Sequence, residues 1–441
     1  MEQNVKDVLQ LNPFEHSSEI KEQLKAHKTL AVFDFDRTLT SGNKNPSQQE
    51  LKDQEDVWSV VAQANAIDAC ISARSRAMMM SQKCYEASLA YGFDEPRPRL
   101  YKNAETNIFE YRDPATIPFF QNAVDRKIIA SFGGGIMVKN GSGYRVDKAF
   151  EHMLERSVYD EEDAQLSVNP TETTHYMDPK PVHEIEVPSS WRLAAMTFVV
   201  SYCQEFRPFL SNLENKADYI EGKNDVAPLP FRLQFDFVGD QGFEAKEALD
   251  QIVREAKQKG DLFARRIRII DESRINEKNP EQSRWTTYWV PWYGTKEYMF
   301  NRILTQSAAA AGYPASETEL FYAGDSPTDL RIGLFGGGGT ETKFLLPTDS
   351  FLAPYLIGKR KRYGSVNLSW LFGGERFNPR LVPTGRQGEY RLEHKFLKRM
   401  RGGKSNLIVI ADERYKGMTP PGSVASFLEE YMLHKHSNAV H

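Results

Sequence analysis

Asp34 and Asp36 stand one residue apart where the apolar run Thr29-Leu30-Ala31-Val32-Phe33 breaks off into a polar turn, Arg37-Thr38-Leu39-Thr40. Side chains alternate along a strand with period two, so continued strand geometry would point both carboxylates to one face. Acids that close repel each other, and a shared proton or a bound divalent cation relieves the repulsion. The pair therefore reads as an acidic Mg2+ site in which one Asp is a nucleophile and the other handles protons. A capped strand end with two solvated acids is the bland alternative, and the partners supplied elsewhere in the chain decide between the two.

Those partners are far apart in sequence. Ile67-Asp68-Ala69-Cys70-Ile71-Ser72 reads as a short strand ending in a hydroxyl, and a hydroxyl beside the next helix N-terminus suits a phosphate. Gly294-Thr295-Lys296-Glu297 opens a predicted helix running to about Ala310, with Lys296 at its start. Glu319 to Ala323 reads as another apolar strand, passing into Gly324-Asp325-Ser326-Pro327-Thr328-Asp329. Singly, these are a solvated lysine, a helix cap and a first-turn acid. Together they contain what phosphoryl transfer from a monoester requires.

The elements that must position these residues follow from the pattern. A continuously apolar strand ending in acids is a buried parallel strand, and its C-terminal edge is where open α/β sheets hold ligands. A lead-in helix is predicted over Glu19 to Lys28 and another over Leu51 to Ala66. The second makes a right-handed βαβ unit that sets Ser72 beside Asp34. A helix through Met80 to Ala90 comes next. Arg126 to Lys139 reads as strand, glycine turn, strand, and Asn140-Gly141 as a hairpin. Gly133 to Gly135 lack the ending of a P-loop and read as a tight turn.

From about Asp160 to Val187, prolines interrupt an acidic, polar stretch that marks a boundary. Beyond it the pattern predicts a helix over Ser189 to Phe206 and an amphipathic helix over Phe243 to Lys259. It also predicts strands over Phe231 to Phe237, Phe263 to Ile270 and Trp285 to Trp292. Alternation in those strands implies a sheet with one wet face. Leu407 to Ala411 reads as a last strand and Gly422 to Leu433 as a closing helix. The expected organisation is a core over 1–159, an inserted α+β unit over 160–290, and the rest of the core over 291–441.

Composition excludes several classes. The 441 residues, 40% hydrophobic and 12% aromatic, are those of a globular protein with substantial cores. A net charge of −4 gives no overall pull toward nucleic acid or an anionic membrane, and neither is an expected partner. Met1 to Lys28 lacks a signal-peptide apolar region and no apolar run approaches the ~20 residues of a span, so the expected location is the cytoplasm. Cys70, Cys84 and Cys203 lack the spacing of a disulfide framework or zinc site. Residues 355–404 form a basic insertion, with thirteen Lys and Arg against three Glu. It reads as a solvated face, with binding of an anionic polymer as the alternative.

The ordered set Asp34-x-Asp36-x-Thr38, Ser72-x-Arg74, Lys296 and Gly324-Asp325-Ser326-x-x-Asp329 resembles the haloacid dehalogenase superfamily of aspartate-nucleophile phosphatases. The inserted unit, after the hydroxyl motif and before the lysine, looks like a C2 cap. Ile129 to Ile136 followed by Tyr144 and Asp147 is similar to the sucrose-phosphate and mannosylglycerate-phosphate phosphatase branch. The resemblance covers roughly residues 29 to 335. It implies a Rossmann-like three-layer α/β core with a parallel sheet and an inserted α+β cap. It also implies that Asp34 attacks phosphorus to give an aspartyl-phosphate. Asp36 would protonate the leaving alcohol and then activate water, while its backbone carbonyl binds Mg2+. Asp325 would complete the metal site with Asp34, and Asp329 would stand behind it or reach the metal through water. Ser72 and Lys296 would hold the phosphoryl oxygens, with Thr38 and Arg74 also on the substrate. The implied substrate is a small phosphorylated metabolite, a phosphosugar first.

Some residues depart from the family pattern. Arg37 stands where many members have Gly, Ala73 replaces Gly, and Thr328 replaces a frequent Asn. Gly336 to Gly339 and Lys343 to Ile357 do not reproduce the usual short strand and Asn-Ala turn. Two other functions stand as alternatives: a phosphotransferase or mutase with the same aspartyl-phosphate, and a non-catalytic protein that binds anions through 355–404 with the core as a scaffold.

Overall fold

In a computed structural model of the chain, the described residues are 12–41, 46–91, 93, 100–102, 109–111, 123–157, 191–210, 231–271, 279–335, 340–346, 381–392 and 407–433. The strands are β1 Thr29–Phe33, β2 Ile67–Ser72, β3 Leu100–Lys102, β4 Phe109–Tyr111, β5 Ile128–Ser131, β6 Gly135–Asn140, β7 Gly143–Val146 and β8 Leu233–Val238. After them come β9 Ile267–Asp271, β10 Arg284–Pro291, β11 Glu319–Ala323, β12 Thr342–Leu345, β13 Leu381–Pro383, β14 Glu389–Leu392 and β15 Leu407–Ile410. The longer helices are α1 Ser18–His27, α2 Gln48–Gln63, α3 Gln82–Leu89, α4 Lys148–Arg156 and α5 Trp191–Tyr202, then α6 Asp240–Gln258, α7 Leu262–Arg266, α8 Lys296–Ala311, α9 Pro327–Phe335 and α10 Pro420–Leu428. No helix among the described residues is long and apolar enough to cross a membrane.

The protein has the α/β fold expected from its sequence. One large sheet runs β13-β14-β15-β12-β11-β1-β2-β5-β6-β7. It is parallel from β15 to β5 and carries an antiparallel hairpin at each edge. Every residue of β1 and β2 is buried, because parallel strands are covered on both faces. Alternate residues feed two cores. Leu30, Val32, Ile71 and Leu320 pack with Leu24 of α1 and Phe300 of α8, whereas Ala31, Phe33, Cys70 and Phe321 pack with Val57 of α2 and Phe427 of α10. The result is three layers. Ser17, Ser47 and Ser81 start α1, α2 and α3 by accepting a backbone N–H three residues on.

Register sets the strand ends level. Phe33 pairs with Cys70 on one side and with Ala323 on the other, so Asp34, Ser72 and Asp325 emerge at one edge. Between β7 and β11 the chain leaves the large sheet and forms a separate antiparallel one, β8-β10-β9, backed by α6.

Three sequence expectations are corrected. Phe263 to Ile270 is not one strand: Asp261 accepts the Ala264 N–H at 2.9 Å and nucleates α7, and only Ile267 begins β9. The second face of the small sheet is wet only in part: Val238 and Arg284 at one end are exposed, whereas Tyr288, Val290 and Ile270 pack on Phe132 at the large sheet's edge. After Asp329 a short strand does form. Thr342–Leu345 pairs parallel with β11, and Lys343 fits there by laying its ammonium 5.1 Å from the Phe321 ring and 3.3 Å from Glu319. The boundary stretch 160–187, glycines 336–339, the histidines beyond Leu433 and most of 355–404 lie outside the described residues.

Candidate active site

Strand geometry stops at Phe33. The Asp34 N–H still donates to the Ala323 carbonyl at 2.9 Å, but the next residues turn, and Arg37 adopts φ 58°. The strand geometry on which the alternation argument was conditional does not continue through the pair, and the two carboxylates take different partners. Asp34 is buried against Lys296. Asp36 lies apart, gripped by both arms of Arg74: Nε donates to Oδ2 at 2.7 Å and Nη2 to Oδ1 at 2.5 Å.

Lys296 is the first residue of α8, and its Nζ lies 3.0 Å from Asp34 Oδ1 and 2.8 Å from Asp329 Oδ1. Asp329 is fully buried. It also accepts from the Tyr322 hydroxyl at 2.7 Å, the Ser326 N–H at 3.0 Å and the Ser326 hydroxyl at 2.5 Å. Carboxylate oxygens of Asp34, Asp325 and Asp329 all lie within 4.8 Å of one another. Gly324 makes this approach possible, since a Cβ there would sit 2.4 Å from the Asp329 Cβ.

Among the described residues, one ammonium bonds two of these three buried carboxylates, and Asp34 registers the crowding of negative charge. Burial, then the neighbouring Asp329, push its carboxyl well above the ordinary range, while Lys296 pulls the other way. The donor set is all oxygen and carries surplus negative charge, which fits a hard divalent cation such as Mg2+. Asp36, whose backbone carbonyl the resemblance puts on the metal, contributes no side chain to this cluster.

Ser72 ends β2 beside this cluster, buried, and its Oγ accepts the Arg74 N–H at 3.1 Å. Arg74 is steadied further by Ser131, whose hydroxyl donates to its carbonyl at 2.6 Å, and by the Phe35 ring 5.0 Å from its guanidinium. Thr38 is fully buried, and its hydroxyl has no hydrogen-bond partner among the described residues.

Several contributors escaped the sequence reading. Thr295 precedes Lys296 at the cap position of α8, yet its buried hydroxyl makes no capping bond. Arg232, just before β8, donates from Nη1 to the Ala73 carbonyl at 2.5 Å and the Phe132 carbonyl at 3.2 Å. Its guanidinium stands 5.0 Å from the Tyr288 ring, which meets Phe132 edge-on. The Gly133 turn closes the contact. Its carbonyl accepts the Phe231 N–H at 2.9 Å, and a Cβ on Gly133 would strike Arg232 Cβ at 2.5 Å. The small sheet thus sits directly over the Ser72–Arg74 loop. A Tyr two residues before Gly324-Asp325 and an Arg opening an alternating strand were the sequence signals for Tyr322 and Arg232.

No family model matches the chain, and no curated protein matches it in sequence. Among solved structures, it is similar to a haloacid dehalogenase-like hydrolase protein of Bacillus subtilis, at 12% identity and TM-score 0.33, over 72% of this chain and 81% of that one. It is also similar to the C-terminal domain of C. albicans trehalose-6-phosphate phosphatase, at 11% identity and TM-score 0.35, over 94% and 95%. A third is the IMP-nucleotidase of Plasmodium falciparum, at 11% identity and TM-score 0.27, over 70% and 62%. At these values the chemistry rests on the geometry of the site itself.

Proposed function

We propose that the protein is a Mg2+-dependent phosphomonoester hydrolase of the haloacid dehalogenase type, acting on a small phosphorylated metabolite. The observation that carries this reading is the meeting of Asp34, Asp325 and Asp329 within 4.8 Å, with Lys296 bonded to two of them.

Asp34, Asp325, Asp329 and the backbone carbonyl of Asp36 would hold the cation. When bound, it would neutralise charge on the phosphoryl group and its ligands. Lys296 and the Ser72 hydroxyl orient the phosphoryl oxygens, with Thr38 and Arg74 close by, and the chemistry is mostly positioning and charge neutralisation. An Asp34 carboxylate oxygen forms a bond to phosphorus as the ester P–O bond breaks, and the leaving oxygen takes a proton from Asp36. Asp36 then accepts a proton from water as that water's oxygen bonds phosphorus and the Asp34–phosphorus bond breaks, releasing phosphate. To take part, Asp36 has to leave its paired grip with Arg74, which frees that guanidinium for the incoming anion.

The small sheet favours a hydroxylated leaving group. Gln234, Asp236 and Thr286 share the face of Tyr288, and Asp236 accepts from Thr286 at 2.6 Å and from Gln234 at 2.8 Å. Such groups match sugar hydroxyls, so a phosphosugar is the proposed class. A phosphate-release screen over phosphosugars, nucleotides and phosphopeptides, with Mg2+ and with EDTA, tests the reading. Release from phosphosugars that EDTA abolishes is expected. Turnover that needs an acceptor and frees no phosphate would make the protein a phosphotransferase, and no turnover of any monoester would overturn the reading.

A further inference from the structure

Glu297 is 2% exposed and binds two arginines from different parts of the fold. Its Oε1 accepts from Arg331 Nε at 2.5 Å and from Arg268 Nη1 at 2.7 Å. Arg331 lies on α9, the helix that carries Asp329. Arg268 lies on β9 of the small sheet, with its guanidinium 4.9 Å from the ring of Trp292, in the turn that leads back to the large sheet. Glu297 directly follows Lys296 in the first turn of α8.

One carboxylate therefore touches the small sheet and binds the helix of Asp329. It is also joined covalently to the residue whose ammonium holds Asp34 and Asp329. Burial alone would raise the Glu297 carboxyl, but Arg331 and Arg268 more than offset it and hold it below the usual range. A desolvated charge bonded to two partners tolerates few arrangements, because any other leaves a buried ion unpaired.

We propose that Glu297 is a positioning residue that couples the seating of the small sheet to the placement of Lys296 and Asp329. Docking of the sheet through Arg268 then sets the first turn of α8, and with it the ammonium that faces the phosphoryl group. The coupling rests on the phosphoryl-transfer reading of the site. The rival view is that Glu297 only neutralises two buried arginines, in which case its loss lowers stability and leaves turnover of the folded protein alone.

The test uses Arg268→Met and Arg268→Lys, which change only the small sheet's arm, together with Glu297→Gln and the double variant Arg268→Met/Glu297→Gln. Hydrolysis of p-nitrophenyl phosphate at saturating Mg2+ and the thermal midpoint are measured for each. Arg268→Met is expected to lower kcat by roughly tenfold or more, since small misplacements of a reacting group cost up to about a hundredfold. Arg268→Lys is expected to recover most of that loss, and the double variant to be no slower than Glu297→Gln alone. Arg268→Met with a lowered midpoint but wild-type kcat, or losses that add in the double variant, would overturn the proposal. If Glu297→Gln does not fold, the two Arg268 variants decide it. If the wild type hydrolyses no phosphomonoester, the parent reading has failed, and the Mg2+-induced rise in midpoint becomes the readout. A smaller rise in Arg268→Met than in wild type keeps the coupling, and an equal rise ends it.

Discussion

Asp34 and Asp329, distant in sequence, meet across the ammonium of Lys296, 3.0 Å from one and 2.8 Å from the other. Neighbouring parallel strands end level at this edge, so the meeting follows from the register of β1 with β11. Among the described residues it leaves negative charge in excess at the site, with Asp325 close by.

That excess makes stability depend on pH and on cation. The Asp34 carboxyl is raised by burial and by Asp329 in the fold, so folding favours its protonated form. For the metal-free protein this contribution is intact below the unfolded carboxyl value, about 4, and is lost as pH rises from there through the folded value. Mg2+ held by the deprotonated carboxylates would compensate, so the rise in thermal midpoint on adding Mg2+ should grow with pH. Melts with EDTA and with Mg2+ across a pH series check this. Asp34→Asn should flatten the series.

Gly324→Ala should disable the site without unfolding the protein. The new Cβ would lie 2.4 Å from the Asp329 Cβ, and Asp329 has to move out of reach of Lys296. Turnover should fall by roughly tenfold to a hundredfold, with a matching rise in the Mg2+ concentration needed for half-maximal rate. Initial rates in a Mg2+ titration measure both.

Asp147 should matter for stability. It caps α4 through the Phe150 N–H at 3.1 Å and receives Arg302 of α8 at 2.9 Å and 3.1 Å, with both residues buried. Asp147→Ala leaves a guanidinium buried and unpaired by this acid, which costs about 3–5 kcal/mol. Urea unfolding should show a lower midpoint with little change in slope.

Arg37→Gly should stabilise. Arg37 holds φ 58° on an exposed turn, a left-handed conformation that costs a non-glycine residue about 1 kcal/mol or more. A rise in the denaturant midpoint is expected, partly offset by the greater freedom of glycine in the unfolded chain.

The legible parts of the site were those with a local signature. Leu30 to Phe33 and Leu320 to Ala323 are continuous runs with no charged residue, and Ile67 to Ile71 is apolar but for Asp68, because their strands are covered on both faces, and each leads within two residues to a polar residue of the candidate site. Lys296 announced itself by opening a helix. That Asp36 would take a different partner from Asp34 was not legible, because that partner, Arg74, is brought to it by the pairing of β1 with β2. Glu297, Arg232 and Tyr322 were missed because their partners, Arg268, Ala73 and Asp329, are set by packing and not by spacing. The helical turn α7 was hidden because Phe263, Ala264 and Ile267 serve a short helix as well as a strand.

Chemical trapping of the intermediate tests the nucleophile directly. Wild-type protein turning over p-nitrophenyl phosphate with Mg2+ is quenched in acid and reduced with borohydride, and its peptides are read by mass spectrometry. Reduction of the acyl-phosphate to an alcohol on the peptide that carries Asp34, and at that residue, is the predicted result. Phosphate release at the full rate with residue 34 unreduced, or reduction at another acid, would contradict it.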